Sequence, residues 1–202
     1  LFFALAFVVA WSLRRGGARK FWLLICSYAF YAAWDWRFLS LLVLSTAVDF
    51  VVGGALGRSS SQRHRRWLLA TSLTVNLGCL CIFKYLDFFV ESAAAFTAWL
   101  GLPIPVTSLS IVLPMGISFY TFQTLSYSID VYGRKMEPTR SLLDFALFVA
   151  FFPQLVAGPI IRARDFLPQL AKVPRFADVA VRSHLLLFGL GYIKKACVAD
   201  HI

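Results

Sequence analysis

Two apolar segments that contain helix breakers decide the fold, and each leads into a basic turn: IVLPMGISFYTFQTLSYSID (111–130) with VYGRKMEPTR (131–140), and SLLDFALFVAFFPQLVAGPI (141–160) with IRARDFLPQL (161–170). The residues that interrupt them are Pro114, Gly116, Pro153, Gly158 and Pro159. In lipid, a backbone group without a partner costs several kcal/mol, so a broken helix persists only where protein or a water-filled cavity covers it. The functional centre is therefore expected in this region.

The composition indicates a membrane protein. The chain has 202 residues, of which 59% are hydrophobic, and its mean hydropathy is +0.72. Soluble domains are usually about 45–50% apolar. The excess lies in long runs separated by short polar turns, which predicts an all-α polytopic transmembrane helix bundle, with a broken or re-entrant segment near 141–160, that forms a single membrane domain over residues 1–202.

The net charge of +10 is concentrated between the apolar runs. Fifteen of the twenty Lys and Arg residues lie in four stretches: 14–20, 58–66, 134–140 and 162–175. Basic loops beside membrane spans mark the cytoplasmic side. Membrane topology therefore explains this distribution of charge better than nucleic-acid binding does. If 134–140 is cytoplasmic, a full crossing by segment 141–160 would put the basic stretch 162–175 outside. The distribution of Lys and Arg therefore favours a segment 141–160 that enters from the cytoplasm and returns. A full crossing remains the alternative.

The pattern also predicts where individual helices end. GRSSSQRHRR (57–66) is expected to be a solvated loop, and Asp35-Trp36-Arg37 a tight turn. The apolar run 67–83 is expected to end near Lys84 and Asp87, with 88–100 lying along the interface and 101–110 forming a loop.

Four residues of the first broken segment fall on one helical face at spacings of four, four and three: Phe119, Gln123, Tyr127 and Asp130. Two interpretations stay open for this face, interhelical hydrogen bonding and a substrate pathway. For Asp130 the simplest expectation is pairing with Arg134 or Lys135. Asp49, near the end of its run, is expected to satisfy a neighbouring helix or basic loop.

The second broken segment is expected to have a functional role. Pro153, Gly158 and Pro159 cannot belong to one continuous helix, so Gln154 and its neighbours are expected to form a constriction or to line a substrate path. The histidines do not indicate catalysis. His64 lies in the arginine-rich loop, and a hydrogen bond in the core is expected for His184. No His or Cys has the spacing of a metal site, so no metal or bound cofactor is expected.

Three ordered motifs resemble the membrane-bound O-acyltransferase family, in its bacterial alginate O-acetylation branch: LPMGISFYTFQTLSYSIDVYGRK (113–135), FFPQLVAGPIIRARDFLPQL (151–170) and FGLGYIKKACVAD (188–200). The resemblance implies a multi-pass enzyme of the bacterial inner membrane that transfers an acetyl group to hydroxyls of an exported polysaccharide such as alginate. It implies that Pro153, Gln154, Gly158, Pro159 and Arg162 shape a conduit.

The same resemblance implies an acyl donor on the cytoplasmic side, acetyl-CoA or an acyl carrier thioester, and an extracytoplasmic acetyltransferase partner. The family's essential histidine lies in a later membrane segment, and none of His64, His184 and His201 falls in a matching motif. The expectation is an N-terminal part of a longer protein, inactive alone, whose catalytic histidine follows Ile202. A membrane transporter or channel and a non-catalytic scaffold remain the alternatives, because broken helices near the midplane also occur in transporters.

Overall fold

The computed structural model describes residues 1–13, 15–101, 112–155, 158–172 and 179–200, and all regular structure within these ranges is helical. The expected all-α class is therefore confirmed. Contacts between residues divide the chain into two units, Leu1–Ala171 and Lys172–Ile202. That the chain forms a single membrane domain stays a prediction.

The described part of the first unit contains eight α-helices: α1 (Phe2–Ser12), α2 (Gly16–Asp35), α3 (Leu39–Arg58), α4 (Gln62–Trp99), α5 (Ile117–Tyr132), α6 (Leu142–Ala150), α7 (Phe152–Leu155) and α8 (Ala163–Ala171). A 3₁₀ turn (Trp36–Phe38) joins α2 to α3, and the Asp35 carboxylate accepts a hydrogen bond from the Arg37 amide (2.9 Å), so the expected turn is confirmed. The second unit contains α9 (Val181–Lys194) and a π-helical turn (Lys195–Ala199), in which no described residue is buried.

Two helical stretches of the described chain are long and apolar enough to cross a membrane: Gly16–Arg58 and Gln62–Trp99. The second is the single helix α4, of 38 residues. The expected end near Lys84 is therefore wrong, because no proline or glycine lies between residues 84 and 99 and charged side chains alone do not end a helix. At 1.5 Å per residue α4 is about 57 Å long, nearly twice the hydrocarbon thickness of a bilayer.

Helices α3 to α6 form the centre of the first unit, and α3 contacts α4, α5 and α6. The Tyr127 and Phe145 rings, both fully buried, pack with their centroids 4.5 Å apart and join α5 to α6. An ion pair between Lys20 Nζ and the Asp144 carboxylate (2.7 Å) joins α2 to the start of α6.

The basic stretch 57–66 differs from the expected solvated loop. Helix α3 continues to Arg58 and α4 begins at Gln62, and the Arg65 side chain is only 4% exposed. Its guanidinium donates hydrogen bonds to carbonyls at the ends of α3 and α5, those of Leu56, Ser59 (3.4 Å), Val131 (3.1 Å) and Tyr132 (2.7 Å). Helix C-termini leave carbonyls without intrahelical partners and carry partial negative charge, so a buried cation stabilises both ends.

Replacing this cation tests its role. We expect Arg65→Met to lower the free energy of unfolding by about 2–3 kcal/mol, because hydrogen bonds that involve a charged group contribute about 1.5–3 kcal/mol each and carbonyls would lose their donors. Thermal unfolding in detergent micelles measures the change. The exposed Arg66→Met is the matched control and should leave the unfolding temperature unchanged. Equal stability of the two variants would contradict the assignment.

Candidate functional site

The polar face predicted on α5 turns into the bundle. Gln123, Tyr127 and Asp130 are 3%, 0% and 5% exposed. Gln123 Nε2 donates to the carbonyl of Phe148 (2.7 Å), and the Tyr127 hydroxyl accepts from the Thr139 amide (3.2 Å). Two of the three side chains thus hydrogen-bond to neighbouring elements, as the first interpretation expects. Their role in a substrate path stays a prediction.

The second broken segment is interrupted at Phe151, whose backbone (φ −55°, ψ 104°) leaves helical geometry between α6 and α7. In an uninterrupted helix the Phe152 N–H would donate to the Phe148 carbonyl, so the break removes the partner of each. Both are compensated by side chains from other helices. Gln123 on α5 donates to the Phe148 carbonyl, and the Ser27 hydroxyl on α2 accepts from the Phe152 N–H (3.2 Å).

Gln154, one turn after the break, is 5% exposed, yet neither its amide nitrogen nor its amide oxygen has a hydrogen-bond partner among the described residues. Gly158 folds back onto it: the Gly158 N–H donates to the Gln154 carbonyl (2.9 Å), and a Cβ at Gly158 would lie 2.7 Å from Gln154 Cα. Only glycine allows this approach. Pro153, Pro159 and Arg162 are exposed.

Asp130 does not form the expected ion pair. Its side chain is buried, and one carboxylate oxygen, Oδ2, has no hydrogen-bond partner within the described chain. No ion pair there joins it to Arg134 or Lys135, both of which are exposed. The physical reason is the turn after α5, where Arg134 adopts a positive φ of 56° and the chain leaves the helix.

The predicted site residues therefore form two groups. Gln123 and Gln154 lie near the break at Phe151: Gln123 binds the carbonyl three residues before Phe151, and Gln154 follows three residues after it. The start of α5 is also near this point, since a Cβ at Gly116 would meet the Leu155 carbonyl at 2.9 Å. Asp130 lies at the other end of α5, about 20 Å from Gly116 at 1.5 Å per residue.

A fully buried carboxylate joins α3, α4 and α5. Asp49 Oδ1 accepts hydrogen bonds from the hydroxyls of Ser72 and Ser128 (2.6 Å for Ser128), and Oδ2 accepts from Asn76 Nδ2 (2.7 Å). The Asn76 oxygen in turn accepts from the hydroxyls of Ser45 (2.6 Å) and Thr124 (3.4 Å). The expectation that Asp49 satisfies neighbouring helices is confirmed. A buried carboxylate is tolerated when it is hydrogen-bonded in this way.

The partners of Asp49 were not predicted, although the sequence carries a signal for them. Three pairs of polar residues are spaced four apart within apolar runs: Ser45 and Asp49, Ser72 and Asn76, and Thr124 and Ser128. Residues at this spacing share one face of a helix. Three such pairs in three helices indicate a common polar contact.

The two histidines that the structure describes are both exposed. His64 is exposed, as expected. His184 is also exposed, so the expected core position is wrong; its Nδ1 lies 2.7 Å from the Ala180 carbonyl at the start of its own helix. His201 lies outside the described residues. Within the described ranges no three His, Cys, Asp or Glu residues are grouped so as to hold a metal ion.

The two side chains that compensate the break can be tested directly. Ser27→Ala and Gln123→Leu should each lower the free energy of unfolding by about 1–3 kcal/mol, because each leaves a buried backbone group without a partner. Ser12→Ala is the matched control for the serine, since the Ser12 hydroxyl makes the same bond to the carbonyl four residues earlier (2.8 Å) at an exposed position. Thermal unfolding in detergent compares them. If Ser27→Ala and Ser12→Ala had the same free energy of unfolding, the break would not depend on the Ser27 hydroxyl.

Comparison with known proteins identifies relatives over most of the chain. A probable alginate O-acetylase of Pseudomonas syringae pv. tomato is 40% identical over 188 residues, which cover 90% of this chain and 35% of that protein. One of Azotobacter vinelandii is 40% identical over 191 residues, covering 91% and 37%. A peptidoglycan O-acetyltransferase of Helicobacter pylori is 30% identical over 210 residues, covering 90% and 38%.

No protein-family model and no solved structure matches the chain. The chain spans about a third of the length of the curated relatives that it matches. The similarity is spread over nine tenths of this chain, so it includes both broken segments and the helices around them. The resemblance expected from the three motifs is therefore confirmed: over nine tenths of its length the chain is similar to probable alginate O-acetylases and to a peptidoglycan O-acetyltransferase.

Proposed function

We propose that the protein acts as a membrane O-acyltransferase, which moves an acetyl group from a cytoplasmic donor toward hydroxyls of an exported polysaccharide such as alginate. The observation that carries the proposal is the 40% identity to probable alginate O-acetylases over 90% of the chain. Because the chain covers 35% of that relative, the activity is proposed for the whole protein and not for this stretch alone.

The proposed setting is the bacterial inner membrane, which the chain crosses several times as one membrane domain. The apolar stretches Gly16–Arg58 and Gln62–Trp99 support this arrangement. The basic stretches 14–20, 58–66, 134–140 and 162–175 would lie on the cytoplasmic side, in agreement with the excess of Lys and Arg that cytoplasmic loops carry.

Segment 141–160 is proposed to enter from the cytoplasm, break and return. The break at Phe151 supplies the bend, and the return is supported by α8, where the Phe166 ring packs 5.7 Å from that of Phe148 and 5.3 Å from that of Phe151. The proposed substrate path would start in this notch, at Gln123, Pro153, Gln154, Gly158, Pro159 and Arg162, and continue along α5 past Tyr127 to Asp130. Gln154 supports this best, since the donor and acceptor groups of its buried amide have no partner within the part of the chain that the structure describes.

The chemistry requires a base and an activated acyl group. A histidine, proposed to follow Ile202 in the whole protein, would take the proton of the acceptor hydroxyl. The oxygen would attack the thioester carbonyl carbon of acetyl-CoA or an acyl carrier, so that a C–O bond forms and the C–S bond breaks. The thiolate would leave and take up the proton that the histidine holds. Such donors are anionic, so the field of the basic cytoplasmic stretches would raise their local concentration. An extracytoplasmic acetyltransferase is the proposed partner that completes transfer to the polysaccharide.

Labelling with a membrane-impermeant maleimide tests the re-entry. In a chain whose native cysteines are replaced by serine, we expect Arg164→Cys to react only from the cytoplasmic side, since the returning segment keeps 162–175 inside. Trp36→Cys, at a turn where the tryptophan is 74% exposed, should react only from the opposite side. Reaction of Arg164→Cys from the exterior alone would establish a full crossing instead.

Acetyl transfer tests the enzyme assignment. In the whole protein, replacing the histidine beyond Ile202 by alanine should lower the O-acetyl content of the exported polysaccharide about 10²- to 10⁴-fold, the usual contribution of a general base. His64→Ala and His184→Ala are the matched controls and should retain wild-type acetylation. Full acetylation without the downstream histidine would reject the proposed chemistry. Solute flux through reconstituted wild-type protein without a donor would favour a transporter.

A further inference from the structure

A groove of about 870 Å³ lies between the last three turns of α3 and the segment that connects α5 to α6. Its α3 wall includes Phe50, Gly54 and Arg58, which are spaced four residues apart and therefore share one face of the helix, and the neighbouring Val51. That wall changes from apolar to basic toward the end of α3. The volume lies within the range of about 300–1,000 Å³ that ligand sites usually have.

The opposite wall is a short segment held in place by backbone contacts. The Thr139 amide donates to the buried Tyr127 hydroxyl (3.2 Å), and a Cβ at Gly57 would overlap the Pro138 ring, so α3 and this segment are in direct contact. Ser141 then starts α6, where its hydroxyl accepts from the Asp144 amide (3.1 Å). The groove is therefore fixed before any ligand binds.

The charges at the mouth of the groove are not neutralised internally. Arg58 and Arg140 are exposed, and neither forms an ion pair or a side-chain hydrogen bond within the described chain. Glu137 is the one acidic side chain among the residues that line the groove. Partial negative charge at the end of α3 would oppose an anion, but Arg65 already binds the carbonyls there.

We propose that this groove binds an anionic phospholipid, with its phosphate between Arg58 and Arg140 and the upper part of an acyl chain along the apolar face of α3. The apolar wall favours a lipid over a soluble phosphate ester, since Val51 lines the groove and is 67% exposed in the described structure, so that an acyl chain can bury apolar area there. The inference rests on the bilayer placement proposed above and does not depend on acyl transfer.

Native mass spectrometry of the purified full chain in detergent, titrated with dioleoylphosphatidylglycerol or dioleoylphosphatidylcholine, tests the proposal. We expect selective retention of phosphatidylglycerol. Arg58→Gln and Arg140→Gln should each weaken it about fivefold, since one basic residue near an anionic lipid surface contributes about 1 kcal/mol. Glu137→Gln should strengthen it. Arg66→Gln, an exposed basic residue outside the groove, is the control and should change nothing.

A second pair of variants separates occupancy of the groove from folding. A Cβ at Gly54 meets no atom within 4 Å, so Gly54→Leu places a bulky side chain in the groove with no clash at its Cβ and should weaken the selectivity. Gly78→Leu on α4 also has open space and should retain it. Equal retention by both variants would overturn the inference.

A soluble competitor identifies the source of the phosphate. Coenzyme A added at a concentration equal to that of phosphatidylglycerol should not displace the lipid. Displacement would overturn the lipid assignment and give the groove to a soluble phosphate ester. Wild-type protein that supports acetylation but shows no preference for phosphatidylglycerol would reject this inference alone, whereas wild-type protein that binds the lipid but lacks acetylation would reject the proposed function alone.

Discussion

Three of the central helices, α3, α4 and α5, depend on one buried carboxylate. Asp49 on α3 accepts hydrogen bonds from side chains on α4 and α5 and is fully shielded from solvent. In an apolar environment an unpaired charge is very costly. An arrangement of the helices that broke one of these hydrogen bonds would therefore be strongly disfavoured. Apolar packing alone would allow the helices to rotate or slide, because lipid and side chains are equally apolar. The carboxylate fixes which faces of α3, α4 and α5 meet.

That fixed arrangement sets the position of the broken segment. Once α5 is oriented by Ser128, its Gln123 side chain reaches the Phe148 carbonyl on α6. Ser27 on α2 supplies the complementary acceptor at Phe152. The Phe148 carbonyl and the Phe152 N–H, which would bond to each other in a continuous helix, thus each have a side-chain partner. An interrupted helix is tolerated in lipid when its backbone groups have such partners. Gln154, whose side-chain amide has no partner among the described residues, follows three residues after Phe151.

The sequence predicts the helical class and the broken segment because both follow from composition and from the positions of proline and glycine. It also indicates the inward role of Gln123 and Asp49, since polar side chains in apolar runs must find partners. It does not predict the burial of Arg65, because a basic loop and a buried helix cap have the same local pattern and differ only in what packs around them. Nor does it predict Ser27, whose partner Phe152 is 125 residues away and becomes a neighbour only in the folded bundle.

The distance along the chain between Ser27 and Phe152 has a consequence for biogenesis. Ribosomes synthesise the N-terminal helices first, so α2 and α5 are already complete when α6 and α7 emerge. Ser27 and Gln123, which replace the missing helical hydrogen bond, are therefore present before the interrupted segment folds. When the interrupted segment emerges, the helices that supply partners for its backbone groups have already been made by the same polypeptide.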